Sequence, residues 1–161
     1  MSDFVFGSMA VDVAASSRMP IVYPGEIDPI TDDSGGVDEN GNPRPGKEGY
    51  IEFLPWDSDE GRKLDRALHT DVVRKGFRQK SAAELRAEAE NADPAEDQVR
   101  RLVALCTGWH LVGPDRKVLD VPFSKANAET LFSSPQMAWL RRRAFAYVAN
   151  ERNFMKVSSS S

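Results

Sequence analysis

The chain has 161 residues, a net charge of −4 and a single cysteine, Cys106. That length fits one domain with an adequate core, so neither a disulfide nor a metal is needed to hold it together. One cysteine excludes an intrachain disulfide and suits a reducing compartment. No apolar run approaches the ~20 residues of a membrane span, and Asp3 and Asp12 break the mildly apolar start, so neither a membrane segment nor a targeting signal is expected. Charge is unevenly spread: residues 1–60 hold 13 acidic and 3 basic side chains, and residues 61–161 hold 12 and 18. The pattern predicts an acidic arm on a mildly basic body.

Residues 1–19 lack a sustained apolar period and read as poorly ordered. From Pro20 to Phe53, turn residues are dense: Pro24-Gly25, Asp28-Pro29, Gly35-Gly36, Asn40-Gly41 and Pro45-Gly46. Such residues supply bends and positive φ angles. Ile21-Val22-Tyr23 and Tyr50 to Leu54 flank the stretch and predict a β-hairpin with a long acidic loop. The expected organisation is a flexible, acidic, loop-rich arm with a candidate hairpin over 1–49. A single helical domain over 50–157 and a disordered serine tail over 158–161 follow.

Helix signals begin at Asp57, with Glu60 three residues on in the capping-box pattern. Leu64, Leu68 and Val72 then mark one apolar face, which Gly76 ends or kinks. Residues 78–91 suit a solvated, alanine-rich helix. Asp93-Pro94-Ala95-Glu96 combines a cap, a proline at the first helical position and a glutamate, and predicts a helix over 94–107 stopped by Gly108. Trp109–Val112 and Lys117–Val121, joined by Gly113-Pro114-Asp115-Arg116, read as a small hairpin around a type I turn. Ser124 caps a short helix through Phe132, and Ser134-Pro135 opens the last one. There Met137, Leu140, Ala144, Tyr147 and Val148 share a face at helical spacing. The fold class is mainly α with small β-hairpins (α+β), and Trp109 is expected to be a core anchor.

Chemistry-bearing motifs are scarce. His69 reads as a solvated surface residue and His110 as structural or exposed rather than catalytic. Cys106 falls among Leu102, Val103 and Leu105 and reads as a buried small hydrophobe. Asp38, Asn40 and Asn42 have the alternation of a calcium loop. However, Pro43 stands where glycine is needed and Gly49 where a closing glutamate is needed, so a turn is the better account. No phosphate-binding loop, nucleophile elbow or HExxH zinc motif occurs. Arg141-Arg142-Arg143 fan over about 200° of a helix, too widely for one phosphate backbone, so nucleic-acid binding is not expected. No enzyme, cofactor or metal site is predicted. His110 or Cys106 set beside a carboxylate in a solvent-reaching cleft would overturn that expectation.

The run GWHLVGPDRKVLDVPFSKANAETLFSSPQMAWLRRRAFAYVANERNF resembles the carboxy-terminal part of the tail assembly chaperones of long-tailed bacteriophages. The positions that carry the likeness are Trp109, Asp115, Pro122 to Ser124, Asn127, Ala128, Leu131, Pro135, Asn153 and Phe154. Upstream, GYIEFLPWDSDEGRKLDRA is similar to the family's extended segment followed by an Asp-Ser pair, here Asp57-Ser58, and a charged helix. The likeness spans about residues 50–154. Asp115-Arg116-Lys117 departs from the glycine-containing turn more common there. The resemblance implies a non-enzymatic factor that binds the tape measure protein, keeps it soluble and helps recruit tail tube protein. It would act in the host cytoplasm and be absent from the mature virion. A structural tail or connector subunit is the alternative. Self-association is compatible with either reading, and membrane association with neither. Phe132, Trp139, Phe145 and Phe154 are the candidate partner-binding residues, as an exposed apolar strip.

Overall fold

The computed structural model describes residues 13–76, 81–84, 86 and 94–155. Most of the predicted 78–91 helix, the Asp93 cap and the serine tail lie outside the described residues, as do residues 1–12. The described chain is an α+β fold. A three-stranded antiparallel sheet, ordered β1-β2-β3, is formed by β1 (Ser17–Pro20), β2 (Tyr50–Phe53) and β3 (Cys106–His110). Its helices are α1 (Asp59–Gly76), α2 (Pro94–Leu105), α3 (Lys125–Ser133) and α4 (Ala138–Ala149).

β2 alternates as a strand with one wet and one dry face must. Ile51 and Phe53 are fully buried, while Tyr50 and Glu52 turn to the other face. Against the dry face pack Leu102 and Leu105 of α2, Ala128 and Phe132 of α3, and Leu140, Ala144 and Val148 of α4. The Phe53 and Phe132 rings sit 6.1 Å apart at the middle of this core. The last helix thus buries the face expected of it, with Met137 and Tyr147 half-buried at its edges.

The first strand lies earlier than Ile21–Tyr23. β1 pairs Ser17 with Phe53 and Pro20 with Tyr50, within a stretch that had read as poorly ordered. Ser-Arg-Met-Pro carries little β preference, and it forms a strand because β2 supplies a partner. Proline, which has no amide hydrogen to donate, is tolerated because β1 is an edge. Ile21 instead donates to Gly49 O and accepts from Ile30 N, which folds the acidic segment back on itself. Met19 and Ile21 are buried, so the N-terminal segment shares the body's core.

Helix ends also differ from expectation. α1 is capped by Ser58, whose Oγ accepts from Gly61 N at 3.3 Å, and not by Asp57. Leu64 and Leu68 are half-buried as predicted, but Val72 is 67% exposed because α1 runs past the body. α2 stops at Leu105 and Gly108 lies inside β3. The stop comes from a distant cation: Lys125 Nζ donates to the carbonyls of Val103, Ala104 and Cys106 at 2.7, 3.2 and 2.8 Å. Those are the acceptors a helix end leaves free. Ser124 caps α3 as predicted, accepting from Asn127 N at 3.0 Å. Pro135 opens a 3-10 turn leading into α4, without a side-chain cap from Ser134.

The 109–121 hairpin is reduced to a turn and one bridge, Val112 to Val118. Arg116 N donates to Gly113 O and Arg116 takes a φ of 67°, so the turn is followed by a left-handed residue, a common three-residue hairpin loop. Val118, Leu119 and Val121 remain exposed. Trp109 is only half-buried: its edge meets Phe123 at 5.1 Å and its indole N–H donates to Val121 O at 2.8 Å. It clasps this segment to the body rather than anchoring the core.

Phe53→Ala is expected to cost about 3–5 kcal/mol, the range for emptying a buried aromatic site. Trp109→Ala should cost clearly less. Urea unfolding of both variants checks the order, and equal losses would contradict it.

Candidate functional site

The four aromatic residues expected to form a binding strip do not form one. Phe132 and Phe154 lie in the core, at 0% and 3% exposure. Trp139 packs on Tyr23 with ring centroids 5.2 Å apart, and the Arg143 guanidinium lies 5.4 Å from its ring. Phe145 meets Trp56 edge-on at 5.6 Å. Successive turns of α4 aim Trp139 and Phe145 at different parts of the N-terminal half, against which each is half-buried. A sequence lacking that information leaves them looking free.

What remains open is a neighbouring groove of about 490 Å³ between the Pro55–Asp57 corner and the end of α4. Val148 and Phe154 lie under it, Val13 and Met155 border it at 55% and 39% exposure, and Trp56 forms one wall. Of the predicted strip, only Phe154 contributes. The bordering residues are tied together: Val13 bridges Met155, and Ala14 N donates to Phe154 O. Trp56 is held from two sides. The Arg101 guanidinium lies 3.9 Å from its ring and pairs with Asp65 of α1, and Phe145 takes the other contact. A Cβ on Gly61 would fall 1.9 Å from Trp56 O, so α1 can begin this close to the corner only with glycine there. Trp56 was not singled out from sequence. Its only signal was its place between a strand and a helix cap.

Two carboxylates, Asp57 and Glu151, line the groove, and among the described residues no lysine or arginine does. Neither carboxylate has a partner among the described residues. The groove is an open apolar trough with a negative rim. Among the described residues that line it there is no serine, threonine, cysteine, lysine or histidine.

A second polar centre lies at the other end of β2. Asp32 is buried at 2% exposure, and its Oδ2 lies 2.9 Å from His110 Nε2. Its Oδ1 accepts from Ser34 N, Ser34 Oγ and Lys47 N. The Ser34 hydroxyl above all, then His110 and the two amides, hold this carboxyl well below the usual carboxylate range against the cost of burial. A Cβ on Gly46 would fall 2.1 Å from Asp32 Oδ1, so the loop closes here only over glycine. Arg116 completes the clasp by donating to the backbone carbonyls of Thr31, Asp32 and Arg44.

His110 thus meets a carboxylate beside an open hollow lined by Arg18, Lys47, Glu48, Tyr50 and Trp109, the arrangement that counts against the expectation of no catalytic centre. The Asp32 oxygens are occupied by four donors, and among the described residues His110 has no hydroxyl or thiol partner to activate. The pair holds the acidic loop to β3. Asp38 likewise makes a turn, accepting from the amides of Asn40 and Asn42 at 2.9 Å each.

His69 is exposed on α1. Cys106 is fully buried, and burial pushes its thiol up to about 12, which removes the thiolate at neutral pH. The three arginines diverge: Arg141 reaches Gln98, Arg142 is exposed, and Arg143 donates to Val22 O. Among the described residues, no group of three or more histidine, cysteine or acidic side chains is placed to hold a metal.

Because the Asp32 carboxyl is depressed in the folded state, its stabilisation is present above the ordinary aspartate value. It is lost as pH falls below about 4. Wild type is therefore expected to outlast Asp32→Asn in urea at neutral pH, with the gap narrowing progressively below about pH 4. A gap independent of pH would contradict the ionised hub. No family model, curated protein or solved structure matches this chain.

Proposed function

We propose that this chain is a tail assembly chaperone of a long-tailed bacteriophage, which binds the tape measure protein, keeps it soluble and helps recruit tail tube protein. The observation that carries the reading is the ordered set of short motifs from Trp109 to Phe154. Several of its polar members have local structural tasks. Ser124 caps α3, Asn127 Nδ2 reaches Pro122 O at 2.9 Å, and Asn153 Nδ2 takes Tyr147 O at the end of α4 at 2.9 Å. Pro135 starts the turn into α4, and Phe154 closes the core. The likeness therefore falls on residues that shape this half of the molecule, rather than on incidental surface positions.

The groove beside Trp56 supports a binding role. A factor that shelters a long, apolar, helical client needs an apolar surface of its own and enough charge to keep the complex dissolved. The groove supplies the first and its carboxylate rim part of the second. We place host-cytoplasmic action and absence from the finished particle within the same proposal.

Co-expression tests it. With the tape measure protein of the same phage, the chain is expected to move that protein from the pellet to the soluble fraction and to co-purify with it. Purified virions should lack the chain by mass spectrometry. An equally insoluble tape measure protein with no complex, or a stoichiometric virion band, would contradict the reading.

A further inference from the structure

The groove carries charge of one sign, and that sign specifies what fits it. Its apolar part is Val13, Trp56, Val148, Phe154 and Met155, and its charged part is Asp57 and Glu151, with no lysine or arginine lining it among the described residues, while Arg62 donates from outside the lining to the Asp57 backbone carbonyl. The end of α4 adds to this. Val148 and Ala149 line the groove and close the helix, whose last turn holds no basic residue. A helix carries partial negative charge at that end. Two unpaired carboxylates thus flank an apolar trough, beside a helix end that carries no cation in its last turn and whose Tyr147 carbonyl accepts from Asn150 N and Asn153 Nδ2.

We infer that the groove takes one amphipathic helix of a partner protein, with an apolar stripe flanked by lysine or arginine. The inference rests on the chaperone reading for the partner's role and adds the chemistry by which the partner is recognised. The trough falls within the ~300–1,000 Å³ of ordinary binding pockets, enough for a few anchoring side chains of a helix face. Cations flanking that face meet Asp57 and Glu151, which lowers the cost of leaving those two carboxylates unpaired on docking.

Two other occupants fit worse. A second copy seated groove to groove would set the acidic rims against each other, since a twofold contact pairs like surfaces. The chain's own residues 1–12 contain Asp3 and Asp12 and neither lysine nor arginine.

The test uses the full chain and three synthetic amphipathic peptides of about 18 residues, or five helical turns. They share one leucine stripe and are flanked by lysine, glutamine or glutamate. By calorimetry at low salt, the lysine peptide is expected to bind about tenfold tighter than the glutamine peptide, or ~1.4 kcal/mol. That advantage should shrink as salt is raised, and the glutamate peptide should bind weakest. Asp57→Asn combined with Glu151→Gln should bring the lysine peptide to the affinity of the glutamine peptide, which itself stays unchanged. Ala149→Trp, which fills the trough from an exposed position, should weaken all three.

Equal affinity for the lysine and glutamine peptides overturns the inference. So does charge-independent binding in the double variant, binding that appears only after residues 1–12 are deleted, or a wild-type dimer that Ala149→Trp dissolves. The two readings fail separately. A tape measure protein rescued in co-expression without lysine preference would leave the chaperone role and remove the groove's specificity. Lysine preference without rescue would do the reverse.

Discussion

Burial of Ile51 and Phe53 from the central strand is the constraint on which the rest of the molecule depends. Their side chains fill the space between the sheet and α2, α3 and α4, and neither is exposed at all. Because a strand alternates its faces, fixing these two residues also fixes the register of both neighbours. Ser17 is set against Phe53 on one side, and Trp109 against Ile51 on the other. The strand also ties the two polar regions together. Gly49, just before it, bonds to the acidic loop, and Pro55-Trp56-Asp57, just after it, make the groove wall. Loosening the strand would disturb both ends.

The acidic segment illustrates how charge is made compatible with packing. Asp32 is buried, yet its carboxylate gathers four donors and its neighbours' carbonyls are held by Arg116. Buried carboxylates persist only when supplied in this way. Asp57 and Glu151 are the opposite case, with carboxylates on a surface and no partner among the described residues. The contrast is functional in the proposed reading. The satisfied acid builds the fold, and the unsatisfied pair is left for a partner.

Local signals recovered what local chemistry decides. Ser124, Pro135 and the Leu140–Ala144–Val148 face read correctly because caps and helical periods involve neighbours in sequence. The fold class followed from the same signals. What failed was decided by distant partners. α2 ends where Lys125 takes its carbonyls, not where Gly108 stands. Ser17–Pro20 is a strand because β2 needs an edge neighbour. Trp139 and Phe145 pack half-buried against Tyr23 and Trp56, and nothing in the α4 sequence records those contacts. The groove was legible only through Phe154, and the Asp32–His110 pair not at all, since 78 positions separate its members.

The central claim is that the corner after β2 and the end of α4 form the surface a client occupies. Amide and indole chemical shifts of the labelled protein, followed during titration with a soluble tape measure fragment, test it most directly. The account predicts that the Trp56 indole and the amides of Asp57, Ala149, Glu151 and Met155 move first and furthest. Shifts centred instead on Arg18, Tyr50 and His110 across the open sheet face would contradict it.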